Sequence, residues 1–204
     1  MYFFTCILNV FSSLDETVEH PLQFVPLSYR KQFFFTFLFL TLVLFAVFRL
    51  LDQPLRTDAA PNGIVSFELA GNTLTARAIT DSWKQLSLLL SATGQPNPDI
   101  INVAYLFAAF GLGLDYLFMP IYALALGFAT LLVTQKHAGW LHSLAVVAAL
   151  FDAVENYALF QILLGRGEFS YPEIAAFCAT IKFSLLIFGI LIVLLGWLLP
   201  GKAK

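Results

Sequence analysis

Four stretches of this chain are apolar for a length that crosses a lipid bilayer, and this property limits its fold more than any motif does. A hydrocarbon core is ~30 Å thick and a helix rises about 1.5 Å per residue, so one span needs roughly 20 residues. Within lipid the backbone has to satisfy its own hydrogen bonds, as an α-helix does. The runs cover residues 32–51, 101–134, 138–164 and 171–199. They predict an all-α, polytopic membrane protein with four transmembrane helices, which makes the lipid bilayer its first partner. With 59% hydrophobic residues, 12% charged residues and 22 Phe, the chain is more apolar than a soluble domain needs to be. A net charge of −2 supplies no basic stripe, so no nucleic-acid partner is expected. Cys6 and Cys178 lie far apart without CxxC spacing, so neither a disulfide framework nor a metal site is expected, and no cofactor is called for.

Between the spans the composition changes. Residues 1–31 carry an apolar patch from Tyr2 to Phe11 and then Asp15, Glu16 and Glu19, without the basic start or small-residue cleavage site of a signal peptide. They read as an N-terminal cytoplasmic or interfacial tail. The polar insertion at 52–100 opens with the turn signal Pro61-Asn62-Gly63, and Ile64 to Leu69 reads as a short extended piece. An external amphipathic helix follows over about 73–90, with Leu74, Ala78, Trp83, Leu86 and Leu90 on its apolar face. It reads as lying on the membrane surface or as a lid over a pocket. Asn97-Pro98-Asp99 is a helix start: Asn caps, Pro fills the first helical position and Asp meets the positive dipole end. From there a continuous helix to Val133 would reach roughly 50 Å, so its first turns project or it bends near Gly111 and Gly113. Ser170-Tyr171-Pro172-Glu173 has capping-box spacing and opens the fourth span, and residues 200–204 form a short tail. Arg30, Lys31, Lys136, Lys202 and Lys204 outnumber Arg56, Arg166 and the more distant Arg77 and Lys84, which puts both termini in the cytoplasm and 52–100 outside.

Against this apolar background stand Asp115, Asp152, Glu155 with Asn156, and Lys182. A charge at mid-bilayer costs at least ~2.5–3.5 kcal/mol, so each has to face a partner or a polar cavity. Counted from inner boundaries near Gln135, Gly139 and Pro200, Asp115 lies roughly 30 Å up its helix, Asp152 and Glu155 roughly 20–24 Å, and Lys182 roughly 27 Å. Three helices thus place ionisable groups in the same outer third. Asp152, Glu155 and Asn156 stand at i, i+3 and i+4, on one helical face. One lysine cannot neutralise three acids. Either Asp115 is solvated, or a carboxyl is protonated, or a cation or cationic ligand belongs there. Tyr116, Tyr122, Tyr157 and Trp83 add aromatic neighbours that interfaces also favour. His142 shares the face of Asn156 nearly four turns below it, as a proton path along the span would require, although a lone interfacial histidine is the simpler account.

Gly111-Leu112-Gly113-Leu114-Asp115 resembles the Gly-x-Gly-Asp motif of intramembrane aspartyl proteases, with Asp152 as second aspartate. One extra residue turns the carboxylate by about 100°, and the order of the two aspartates is reversed, which sets that chemistry aside. The four-span outline with paired carboxylates is similar to the sterol isomerase and sigma-2 receptor family, where acids stabilise charge on a lipid-like ligand. Phe67-Glu68-Leu69-Ala70-Gly71, Leu114-Asp115-Tyr116-Leu117-Phe118, Phe151-Asp152-Ala153-Val154-Glu155-Asn156 and Lys182 resemble the landmarks of a family of uncharacterised four-span bacterial inner-membrane proteins, over residues from about 33 to 199. That resemblance implies an inner-membrane location and a place for Glu68 beside the cluster, and it brings no activity.

Three readings follow for the cluster. It binds a small amphipathic or cationic ligand through Asp115, Asp152, Glu155, Asn156 and Lys182, with Glu68 and Trp83 as further candidates. Alternatively it is a membrane-embedded enzyme in which Asp152 or Glu155 is general acid or base on a lipid-like substrate and Lys182 sets its pKa. In the third reading it holds a structural or accessory subunit together.

Overall fold

The computed structural model describes residues 22, 24–89, 103–134, 139–166 and 170–198. Among them there is no strand. The elements are α1 (Leu27–Leu51), a 3-10 turn (Gln53–Leu55), α2 (Ile64–Glu68), α3 (Thr73–Leu89), α4 (Val103–Thr134), α5 (Gly139–Leu163) and α6 (Tyr171–Leu198). Four of these helices, α1, α4, α5 and α6, are long and apolar enough to cross a membrane. The Asn97-Pro98-Asp99 start, most of the N-terminal tail and the C-terminal tail lie outside the described residues.

Local chemistry accounts for most of the helix ends. Pro26 lacks a backbone N–H and precedes α1, so the helix opens at Leu27 and already contains Arg30 and Lys31. At its other end the Asp52 N–H still reaches the Phe48 carbonyl at 2.8 Å before the Pro54 turn breaks the axis. After α5, Gly165 takes φ 78°, and the N–H groups of Gly165 and Arg166 bond Ile162 and Gln161 at 3.0 and 2.9 Å. This is a Schellman stop, which the left-handed glycine permits. α6 carries Pro172 at its second position, and the Ile174 N–H bonds the Ser170 carbonyl at 2.9 Å.

Two expectations about the polar insertion are corrected. Ile64 to Leu69 is not extended: Ile64–Glu68 is a short helix. Its β-branched start resembles a strand, but Gly63 at φ 59° turns the chain, and the buried Asp52 carboxylate accepts the Ile64 N–H at 2.7 Å. A residue twelve positions upstream in sequence therefore decides the local conformation. α3 forms over the expected range, but its buried face is Ala76, Ile79, Thr80 and Trp83, while Leu74 is 82% exposed and Ala78 is also exposed. Two apolar stripes overlap at Trp83, and packing selects the one at i, i+3, i+4 and i+7. α4 is unbroken through Gly111 and Gly113; the residue inside it that removes a helical hydrogen bond is Pro120.

The chain divides into two compact units, each assembled from separate segments. One takes the described parts of Met1–Thr41, Pro120–Ala149 and Phe183–Lys204. Its core gathers Val25, Phe34, Phe128, Ala129, Leu131 and Val193, with the Phe33 and Phe37 rings stacked on Phe128 at 5.5 and 6.1 Å. Here α4 and α6 approach through glycine. A Cβ at Gly189 would press on Leu126 and one at Gly196 on Val133, so the two helices run in the same direction with a matched spacing. Gly127 similarly leaves room for the His142 ring.

The other unit takes Leu42–Met119 and Leu150–Lys182 in their described parts. Its core joins Leu55 and Phe67 to the buried stripe of α3, to Ala104, Ala108 and Leu112 of α4, and to Ala158, Leu159 and Ile162 of α5. Alanine at i, i+4 spacing on α4 lets neighbouring backbones come close. Trp83 fixes this packing: its indole N–H donates to the Leu55 carbonyl at 2.7 Å and its ring meets Phe67 edge-on at 5.1 Å.

Candidate functional site

Every charged side chain singled out within the spans lies in this second unit, and so does Glu68. Lys182 on α6 is the hub. Its Nζ donates to Asp152 Oδ1 at 2.9 Å and to Glu155 Oε1 at 3.0 Å, both on α5. The second Glu155 oxygen, Oε2, is 2.9 Å from the same ammonium but outside hydrogen-bonding angles, and it accepts no hydrogen bond. Glu68 closes the arrangement from α2, with its Oε2 4.0 Å from Lys182 Nζ. That separation is within electrostatic reach but too long for a hydrogen bond, and this oxygen is likewise without a partner.

Asp115 on α4 enters through Asn156. The Asn156 amide nitrogen donates to Asp115 Oδ2 at 2.9 Å and to the Leu112 carbonyl at 3.4 Å. Both neighbours are acceptors, so the amide has to point its nitrogen toward them. Its oxygen is left facing away, wholly buried and accepting nothing. The helical spacing of Asp152, Glu155 and Asn156 thus serves two neighbours at once: the first two reach α6 and the third reaches α4. Tyr116 adds a second α4–α5 link, donating its hydroxyl to the Ala153 carbonyl at 3.2 Å.

Glu155 and Asn156 are 0% exposed, Asp152 2%, Lys182 5% and Glu68 8%. In such surroundings the charged form of a carboxyl is penalised. For Glu68, which stands outside the spans, burial raises the pKa above the ordinary Glu range; Lys182 opposes the rise, and the negative charges of Asp152 and Asp52 add to it. The sum of charges is unequal. Three carboxyls, Glu68, Asp152 and Glu155, face one ammonium, Lys182, and a fourth, Asp115, joins them through Asn156.

The structure places the remaining candidates elsewhere. Trp83 commits its only donor to Leu55 and its ring to Phe67, so it supports the fold around the site. His142 lies in the first unit, beside Gly127. Among the described residues, no group of three His, Cys, Asp or Glu side chains is arranged to hold a metal ion. Sequence reasoning missed Asp52. It reads as a polar residue after a span, yet it is buried, holds Arg56 Nε at 3.1 Å and caps the helix that carries Glu68. Its one local signal was the i, i+4 spacing to Arg56.

No protein-family model, curated protein or solved structure matches this chain, so the landmark resemblance to four-span bacterial proteins gains no support from a matching family. The fold and the site define an all-helical protein with four membrane-length helices and a buried charged cluster.

Proposed function

We propose that this chain is an integral membrane protein whose cluster binds a small amphipathic molecule through a cationic or hydrogen-donating head group. One observation carries the reading: Glu68 Oε2, Glu155 Oε2 and Asn156 Oδ1 are buried acceptors without a hydrogen-bond donor. An unsatisfied buried polar atom costs about 1–3 kcal/mol, and native proteins keep few of them. Two of them, Glu68 Oε2 and Asn156 Oδ1, also lack a cation within 3.5 Å among the described residues and, beside a surplus of acid, suit a ligand that brings donors. The lysine and arginine bias supports cytoplasmic termini, with the cluster toward the outer side of the bilayer. A bacterial inner membrane is the location that the family resemblance favours.

The test is to extract and identify amphiphiles by mass spectrometry from protein purified in mild detergent, comparing wild type with Glu68→Gln/Asn156→Leu. An amphiphile enriched on wild type and lost from the variant supports the reading. Identical extracts overturn it.

A second reading has its own observation. The direct pairing of Lys182 with both Asp152 and Glu155 is the geometry of a clamp between α5 and α6. A purely structural cluster needs that clamp alone and leaves the unpartnered Glu68 Oε2 and Asn156 Oδ1 without a purpose.

A further inference from the structure

Resting on the ligand-site reading above, we infer that the head group is a primary or secondary ammonium and that it enters in exchange for protons held by the cluster. With all four carboxyls ionised, the group around Lys182 would carry three uncompensated negative charges. At an effective dielectric of about 20, two like charges about 5 Å apart repel by roughly 3 kcal/mol, so the surplus has to be balanced. Among the described residues, Lys182 supplies the ion pairs to Glu68, Asp152 and Glu155, while Arg56 holds Asp52 and Asp115 receives the neutral Asn156 amide. Protons therefore balance the cluster, and an entering cation displaces them. The exchange is balanced: a protonated carboxyl and a free ammonium become a carboxylate–ammonium pair and a released proton.

The orphan oxygens decide what kind of cation fits. Glu68 Oε2 and Asn156 Oδ1 accept hydrogen bonds and donate none, whereas Glu155 Oε2 already lies 2.9 Å from the Lys182 ammonium. A quaternary ammonium would supply charge and leave both without donors. A neutral alcohol would supply one donor and displace no proton. An ammonium bearing two or three N–H groups does both. The chain already contains one such partnership, because the Lys182 ammonium collects Asp152 and Glu155 at 2.9 Å each. Glu68, from α2, and Asp115 with Asn156, from α4 and α5, are the groups left to receive a second ammonium.

Glu68 is the exchangeable carboxyl that lies outside the spans. The titratable and charged groups acting on it are Lys182 from α6, Asp152 and Glu155 from α5, Asp115 from α4 and Asp52 at the end of α1. Asp52 carries Arg56, and the buried Cys178 thiol of α6 senses Glu155 and Lys182.

The experiment is calorimetric titration of wild-type protein in lipid nanodiscs, with empty nanodiscs correcting for partition. Three short probes are compared: hexylammonium, hexyltrimethylammonium and 1-hexanol. Each is measured in phosphate and in Tris, whose ionisation enthalpies differ. Hexylammonium should bind at least about tenfold tighter than either analogue. Its apparent enthalpy should differ between the buffers as release of a proton requires, and its affinity should rise by up to about tenfold per pH unit. Glu68→Gln should lower both the affinity and the number of protons released. If hexylammonium binds with the same heat in both buffers, proton exchange is refuted while the ligand site stands. Equal binding of the quaternary probe or of the alcohol refutes the head-group assignment. Binding by none of the three refutes the inference together with the reading on which it rests.

Discussion

Replacing Lys182 by Met separates the part of the cluster that holds the helices from the part left open. The ammonium lies 2.9 Å from Asp152 and from Glu155, and all three side chains are nearly inaccessible to solvent. Methionine keeps the length and apolar stem of the lysine, so the packing loss is small. What remains is a buried carboxylate without its counter-charge. Breaking a buried ion pair on one side costs about 3–5 kcal/mol. An orphaned carboxylate can also escape by taking up a proton, which at pH 7 costs about 1.36 kcal/mol for each of roughly 2.7 pH units, or about 4 kcal/mol. The two estimates agree. For a chain of this size, 1 kcal/mol moves a midpoint by about 2–4 °C, so Lys182→Met should melt roughly 6–20 °C below wild type. Glu68→Gln should behave in the opposite way, because the Glu68 carboxylate has an unpartnered oxygen 4.0 Å from the ammonium and the amide keeps its volume. Its midpoint should stay within about 1 kcal/mol of wild type or rise. The buried Cys178 thiol supplies the assay: in a Cys6→Ser background, a thiol-reactive dye reports unfolding as it reaches Cys178. A loss below about 1 kcal/mol in Lys182→Met, or a loss in Glu68→Gln as large as in Lys182→Met, would refute this division of roles.

Two further outcomes are expected. Burial raises the pKa of Glu68 above its unfolded value, so the folded chain holds this proton to higher pH than the unfolded chain does. That contribution to stability is complete below the ordinary Glu range and is lost as pH rises through the folded value; midpoints against pH should fall less steeply for Glu68→Gln, and parallel curves would refute the assignment. Gly63→Ala forces a side chain into a backbone at φ 59° and pushes its Cβ into the Asp52 carboxylate. It should cost about 1–3 kcal/mol in the same dye assay and, through α2, weaken amine binding, whereas wild-type behaviour would show that the Asp52 cap does not position Glu68.

The four spans were legible because an apolar run of more than twenty residues has few alternatives in lipid. The meeting of Lys182 with Asp152 and Glu155 was also legible, since helical rise converts residue number into depth. The extra carboxyl, Glu68, was reached only through a resemblance, because nothing local says that a short loop helix lies beside an ion pair. The polar insertion was the least readable part. Ile64 and Val65 favour strands by shape, yet a hydrogen bond from the Ile64 N–H to a distant aspartate makes them a helix. On α3 both Leu74 and Ile79 mark apolar faces, and only the presence of Leu55 and Phe67 decides which is buried. Pairwise chemistry such as the Asn156 amide between Asp115 and Leu112 has no sequence signature at all.

The Asp52 carboxylate works as a clasp. Its backbone N–H is the last tie of α1, and its two oxygens hold Arg56 and the first residue of α2, closing a ring of chain from 52 to 64. The end of the first membrane-length helix is tethered through this ring to the element that carries Glu68. A sliding or tilting of that helix, as changes in bilayer thickness produce, would be delivered to Glu68 as a change in its distance from Lys182. The charge balance of the cluster is thus mechanically connected to the first membrane-length helix through a short ring of chain.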